Sequence, residues 1–399
     1  MRPHQLHYLA LAALGLALAG CGSSGNNGDP AAANTTPAPA PQASTPAPAP
    51  TRVEPKTVQL DATAGGFGAR PDNPLNKFSY FSFTTGELVP LTDAEAATST
   101  AWHIAFKRTN IQLNGGVSGP GTVKAAVADA QSDYFEADGK TPNNSVFLNA
   151  TAAQELAALE AITTDAGLTY QTDRDQPNIP NNGGDNGWWA YNPQTHTVSA
   201  RPGNWYVARG AAGDSYARFR VTEIEQADRS IKLEMFIQNP GETGFANSAN
   251  TWTAALGASG GSKCFDFETR AEVDCTVAAA TWDLQLEVSA NGRSWNLWTN
   301  SGVKGSGSRG GSFGPIDSAS IGSYASNAAV PNFFVDTKSG VFTDHSWYAY
   351  NLQGRNELWP NYRVYVVDTG TGKYKMQILS YYNDAGASGH YRLRYLPMP

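Results

Sequence analysis

One pattern is written twice in this chain. Tyr80-Phe81-Ser82-Phe83 is followed by Trp102-His103-Ile104-Ala105-Phe106 and then Asn114-Gly115-Gly116; downstream, Cys264-Phe265-Asp266-Phe267 precedes Trp282-Asp283-Leu284-Gln285-Leu286 and Trp298-Thr299-Asn300-Ser301-Gly302. The later parts agree as well. Gly187-Trp188-Trp189-Ala190-Tyr191-Asn192 matches Ser346-Trp347-Tyr348-Ala349-Tyr350-Asn351, and Arg218-Phe219-Arg220-Val221 matches Lys375-Met376-Gln377-Ile378. A unit of roughly 150 residues or more can bury its own core, which favours tandem domains over short solenoid units. The expectation is two serial domains, 56–245 and 246–399.

The periodicity is that of strands. Apolar and polar residues alternate in Thr57–Ala62, Tyr80–Phe83, Trp102–Phe106, Tyr216–Val221 and Ile231–Phe236. Alternation puts Trp102, Ile104 and Phe106 on a core face and, in the second copy, Trp282, Leu284 and Leu286. His103 and Asp283 fall on the opposite side and read as outward polar positions. One helix is expected near 151–163, where Thr151 and Gln154 make a capping box ahead of Leu156, Leu159 and Ile162. Its counterpart near 317–329 is weak. The glycines after Asn114 and Asn300 suggest a bulge or close backbone approach at a sheet corner. The predicted class is all-β: two tandem antiparallel domains with a short helix in the first.

The N-terminus has the three parts of an export signal: Arg2, an apolar run from Leu9 to Ala17, and small residues before Cys21. Leu18-Ala19-Gly20-Cys21 resembles a bacterial lipoprotein cleavage box, which makes Cys21 the expected lipidation site and 1–21 the signal peptide. Acyl chains contribute about 0.8 kcal/mol per buried methylene, enough in combination for a firm anchor. Gly22 rather than an acid follows the cysteine, so the expected destination is the outer membrane, facing the periplasm or the surface. Residues 22–55 are rich in Pro and Ala and read as an extended, disordered tether.

With 28 basic against 35 acidic side chains and no Lys/Arg cluster, the chain is not expected to bind nucleic acid. Its 40 glycines, 10 Trp, 17 Tyr and 16 Phe suit an exported β protein. Once Cys21 is set aside, Cys264 and Cys275 remain, a pair that in an exported chain reads as a disulfide.

Lys56-Thr57-Val58-Gln59-Leu60-Asp61-Ala62, Tyr-Phe-Ser-Phe, Trp-x-Ile-Ala-Phe-x-Arg and Asn-Gly-Gly-x-Ser-Gly resemble the HmuY family of bacterial haem-binding lipoproteins. The resemblance spans the first copy, about 56 to 238, and is looser in the second. It implies an all-β fold, an outer-membrane lipid anchor, capture of haem by two axial side chains, and no catalysis. It also implies a haem-carrying protein as a partner. The family's ligand positions fall here near Asn192 or Pro193 and near Asn351 or Leu352, and none of these side chains suits iron. His196 and His345 stand nearby and are the candidate haem ligands, with Tyr191 and Tyr350 as phenol alternatives.

Catalytic patterns are chance hits. Gly257-Ala258-Ser259-Gly260-Gly261 lacks the helix a nucleophile elbow needs, and Gly305–Gly310 lacks the helix that would receive a phosphate. No metal motif is present. The crowd of Asp173, Asp175, Asn178, Asn182 and Asp185 has no regular calcium spacing and reads as a solvated turn. The alternative function is a surface interaction or glycan-binding module that kept the scaffold and lost haem ligation.

Overall fold

A computed structural model describes residues 53–66, 73–181, 184–279 and 281–398. The expected signal peptide, Cys21 and most of the tether lie outside the described residues. Val53–Pro399 forms one compact unit. It is all-β, with antiparallel sheets and four short helices among the described residues. None of these helices is long and apolar enough to cross a membrane.

Among the described residues, twelve strands from Lys56–Asp61 to Ser230–Gln238 are followed by twelve more, from Asn250–Ala255 to Ser388–Met398, in the same order of short and long elements. The sheets, however, do not close within each copy. In the first lobe a five-stranded sheet runs Lys56–Asp61, Ser388–Met398, Lys373–Tyr382, Val364–Asp368, Lys124–Asp129. It packs on a four-stranded sheet of Glu87–Val89, Ser79–Ser82, Ile104–Lys107 and Asn110–Leu113. Phe81, Ile104, Phe106 and Leu113 from one sheet meet Tyr365, Val367, Met376 and Leu393 from the other in a single core.

The second lobe repeats this plan with the remaining halves. Asn250–Ala255, Ser230–Gln238, Tyr216–Glu225, Asn204–Arg209 and Gly311–Asp317 form its five-stranded sheet. Ala271–Val273, Gly261–Asp266, Leu284–Val288 and Trp295–Thr299 form the facing one. Each lobe is therefore built from the first half of one copy and the second half of the other. The serial division into self-contained domains at 245/246 is corrected: a strand face is buried as well by the other copy's partner sheet as by its own. Burial of each large apolar side chain contributes about 1.5–3 kcal/mol whichever copy supplies the neighbour.

The chain crosses between lobes twice, and the crossing segments hold each other. Arg174–Gln176 pairs antiparallel with Thr337–Ser339, Asp175 opposite Lys338. Just before each crossing strand is a buried aspartate. Asp173 accepts the Leu113 amide at 2.8 Å; Asp336 accepts the Asn178 and Thr299 amides and the Thr299 hydroxyl at 2.8, 2.9 and 3.0 Å. Of the cluster read as a solvated turn, Asp173, Asp175 and Asn178 belong to this junction, with Asp175 ion-paired to Lys304; Asp185 is exposed and ion-paired to Arg201, and Asn182 lies outside the described residues.

A second matched device fixes the corners. The Asn114 side-chain amide donates to the Ser99 and Trp102 carbonyls and accepts from Gly121. Asn300 does the same with Ala279, Trp282 and Gly307. A methyl at Gly115 would collide with the Val123 backbone and one at Gly310 with that of Asn300, so these corners take glycine for close approach.

His103 and Asp283 are not outward. His103 Nδ1 accepts the Phe83 amide at 3.0 Å, and Asp283 accepts the Phe267 and Ala211 amides at 2.7 and 2.8 Å. The sheet is covered on both faces there, so alternation loses its meaning. Trp102 and Trp282 precede their strands and pack in side clusters apart from Ile104 and Leu284. The expected helix is shorter, Leu156–Ala161. Another lies at Asn144–Asn149, and 317–329 holds two short 3-10 turns. Cys264 and Cys275 form a disulfide.

Two outcomes are expected. If a protease site is placed at exposed Ser248 in the loop between the copies, the nicked pieces should still co-elute as one particle, because neither piece contains a complete lobe. Separation into two folded fragments would contradict the composite lobes. In addition, Asn300→Ala should cost about 2–3 kcal/mol in chemical denaturation, since it leaves the Trp282 carbonyl and the Gly307 amide without partners in a buried corner, the Ala279 carbonyl keeping only Ser306.

Candidate functional site

Three distant segments meet around a cleft of about 980 Å³ on the first lobe. The first is the tight turn Lys107–Asn110. Arg108 adopts a positive φ there, its amide bonds the Ala62 carbonyl and its carbonyl accepts the Tyr391 hydroxyl, so the turn is pinned at both ends. The second is the hairpin of Tyr348–Tyr350 and Leu358–Pro360. Its turn is shaped by the Tyr350 hydroxyl donating to Asn356 at 2.8 Å and by the Leu358 amide donating to Tyr382. The third is Phe334-Val335, tied by Phe334 to Ser312 and by the neighbouring Asp336 to its cluster of donors. Tyr381, from strand Lys373–Tyr382, and Ala64, Gly66 and Asn76, after the first strand, complete the lining.

The chemistry of this lining is distinct. Phe334, Val335, Tyr348, Leu358 and Tyr381 supply apolar and aromatic wall; Lys107 and Arg108 supply two cations; no carboxylate is among the described lining residues. Phe334, Val335 and Tyr350 are about half exposed, at 49%, 45% and 57%, and lie together on this cleft; it is such grouping of exposed apolar side chains that marks interaction sites. Burial pushes the Lys107 ammonium below its usual range, with Asp93 opposing the shift. Burial likewise pushes Tyr348 and Tyr381 above the ordinary phenol value, although Arg108 draws Tyr381 partly back. Both hydroxyls therefore stay protonated near neutral pH. The arrangement suits a flat, largely apolar ligand carrying negative groups.

The histidines stand elsewhere. His196 lies in the second lobe, in the turn between Trp189–Asn192 and Thr197–Ala200, with its Nδ1 2.7 Å from the Tyr191 hydroxyl. His345 follows the short helix Val341–Asp344 in the first lobe, and its carbonyl accepts the Tyr365 hydroxyl. The two are not brought together, and neither lines the cleft. Met235 and Met376 are wholly buried. Tyr191 with His196 is the second-lobe counterpart of Tyr350 with Asn356. Asp266, Glu268 and Asp283 form a compact acidic group, but the Asp283 oxygens are taken by backbone amides, and Asp266 accepts from Thr269. The cleft was missed at the sequence level because its walls come from positions as far apart as Ala64 and Tyr381. The aromatics of the Trp-led hairpin and the adjacent Lys107-Arg108 pair were the available signals.

With this geometry in place, the fold is that of an antiparallel β protein, and part of the chain is similar to a known family. The HmuY protein family model matches residues 75–237. That span starts in the first lobe, passes the Asp173 crossing and ends in the second. No curated protein matches. Among solved structures, a candidate lipoprotein from Bacteroides fragilis is 11% identical, with 85% of this chain and 86% of that one covered at a TM-score of 0.31. The apo HmuY analog of Tannerella forsythia is 12% identical (87% and 96% covered, TM-score 0.29). A candidate HmuY-like haem-binding protein from Bacteroides vulgatus is 10% identical (86% and 90%, TM-score 0.26).

The buried aspartates give a pH dependence. Burial pushes Asp173 and Asp336 up to about 6 and Asp283 up to about 8. An unfolded aspartate loses its proton near pH 4, so above that the folded state binds more protons than the unfolded one. Stability should therefore fall as pH rises from about 4 to about 8. Asp173→Asn keeps an acceptor for Leu113 and should flatten the lower part of this slope in denaturation midpoints measured between pH 4 and 7. An unaltered slope would show that Asp173 is ionised throughout.

Proposed function

We propose that this chain is a cell-surface or periplasm-facing lipoprotein that captures haem or a related porphyrin, without catalysis, in the cleft of the first lobe. The lining carries the reading: an aromatic and aliphatic wall beside two cations, with no carboxylate among the described lining residues. The HmuY match over residues 75–237 supports the ligand class. A porphyrin offers two faces and an apolar edge to Phe334, Val335, Tyr348 and Leu358, and its propionates are the natural partners of Lys107 and Arg108.

The chemistry that haem would bring is that of its iron. The chain's own part is to enclose the ring, exclude water from its faces and neutralise its carboxylates. Lipidation at Cys21 and the Pro/Ala tether would hold the folded unit away from the outer membrane, and a haem-carrying protein is the expected source of cargo.

Haem titrated into residues 53–399 should quench tryptophan and tyrosine fluorescence saturably at micromolar concentration. The double variant Lys107→Gln, Arg108→Gln should weaken binding about tenfold, in line with ~1.5–3 kcal/mol for hydrogen bonds to charged groups reduced by exposure. His196→Ala should bind as the parent does, being in the other lobe. No saturable quenching would remove the reading.

A further inference from the structure

The donor set of the cleft does not fit paired axial ligation of iron. Among the described residues no imidazole, thiol or thioether lines it. His103 is committed to the Phe83 amide inside the sheet, and His390 sits opposite Asp61 on the outer strand pair. Of the three phenols that line it, Tyr348 and Tyr381 are held protonated by burial, which opposes their use as phenolate ligands, and the Tyr350 hydroxyl is committed as donor to Asn356.

A different feature of the same lining points to the ligand. Tyr381 is 1% exposed, and its hydroxyl has no hydrogen-bond partner in the protein. A buried hydroxyl left unpaired is costly and calls for a partner, and this one belongs to a side chain that lines the cleft. The Arg108 guanidinium lies 5.8 Å from the Tyr381 ring centroid. A carboxylate seated beside Arg108 would have the acceptor that this hydroxyl lacks, and the cation to balance its charge.

We infer that the cleft recognises the tetrapyrrole ring and its carboxylates rather than the iron, with one carboxylate held by Arg108 and the Tyr381 hydroxyl, so that metal-free porphyrin binds as well as haem. This rests on the porphyrin reading of the cleft. It differs from capture through an iron–imidazole bond in what the protein can discriminate: charge at the ring edge, and not the metal.

The test is fluorescence titration of residues 53–399 with haem, metal-free protoporphyrin and its dimethyl ester, for the parent and for Tyr381→Phe. That substitution deletes only the unpartnered hydroxyl and leaves the packing intact. Haem and metal-free protoporphyrin should bind within about threefold of each other, the ester at least tenfold more weakly. Tyr381→Phe should lose about five- to tenfold for the free acids and nothing for the ester. Haem bound tenfold or more above the metal-free ring, with a visible spectrum of coordinated iron lost in His345→Ala or Tyr350→Phe, would overturn the inference and leave the porphyrin reading standing. Equal binding of acid and ester, or an unaltered Tyr381→Phe, would also overturn it. No binding of any of the three would remove the porphyrin reading itself.

Discussion

Everything in this molecule depends on the paired crossing strands, Arg174–Gln176 and Thr337–Ser339, and on the aspartate that precedes each. They carry the chain out of one lobe and back from the other, so the two lobes cannot be completed independently. Asp173 and Asp336 take amides from Leu113 and Thr299, the equivalent ends of strands in the two four-stranded sheets. The junction is thus nearly symmetric, held by the same bond made twice. Burying carboxylates here raises their proton affinity, and the acceptor geometry is what keeps the crossing in register.

The same junction positions the cleft. Phe334 and Val335 are the last residues before Asp336, and they form one wall because that aspartate is fastened by Asn178 and Thr299. The opposite wall comes from the second copy's Trp-led hairpin, and the cations come from the first copy's Lys107–Asn110 turn. A site on the first lobe therefore draws on both copies. Divergence between the copies is visible in the hairpins: Tyr191 meets His196 in one, Tyr350 meets Asn356 in the other.

Much of the fold could be read from the residues. The alternation of Tyr216–Val221 and Ile231–Phe236 marks real strands, and the correspondence of Phe219 with Met376 reappears in their matching registers, opposite Tyr206 and Tyr365. The half exchange could not be read, because hydrophobic alternation states which face is buried and not which copy buries it. His103 was misjudged for a related reason: period-two alternation assumes one wet face, and this sheet has none at that point. Asn114 and Asn300 were visible as a repeated Asn beside glycine, while their role as corner locks needed the carbonyls of Ser99 and Ala279 in place. The cleft is legible only in parts, through exposed Tyr350 and the Lys107-Arg108 pair, since proximity across such sequence distances is a product of the crossing.

The most direct measurement is the distance between spin labels placed at Gln59 and Arg392, one at the start of the first copy and one at the end of the second. They are register partners on adjacent strands, whose backbones lie about 5 Å apart. The account predicts a single short distance within one molecule, unchanged on dilution. A long distance, as expected for strands belonging to two separately closed domains, would contradict it.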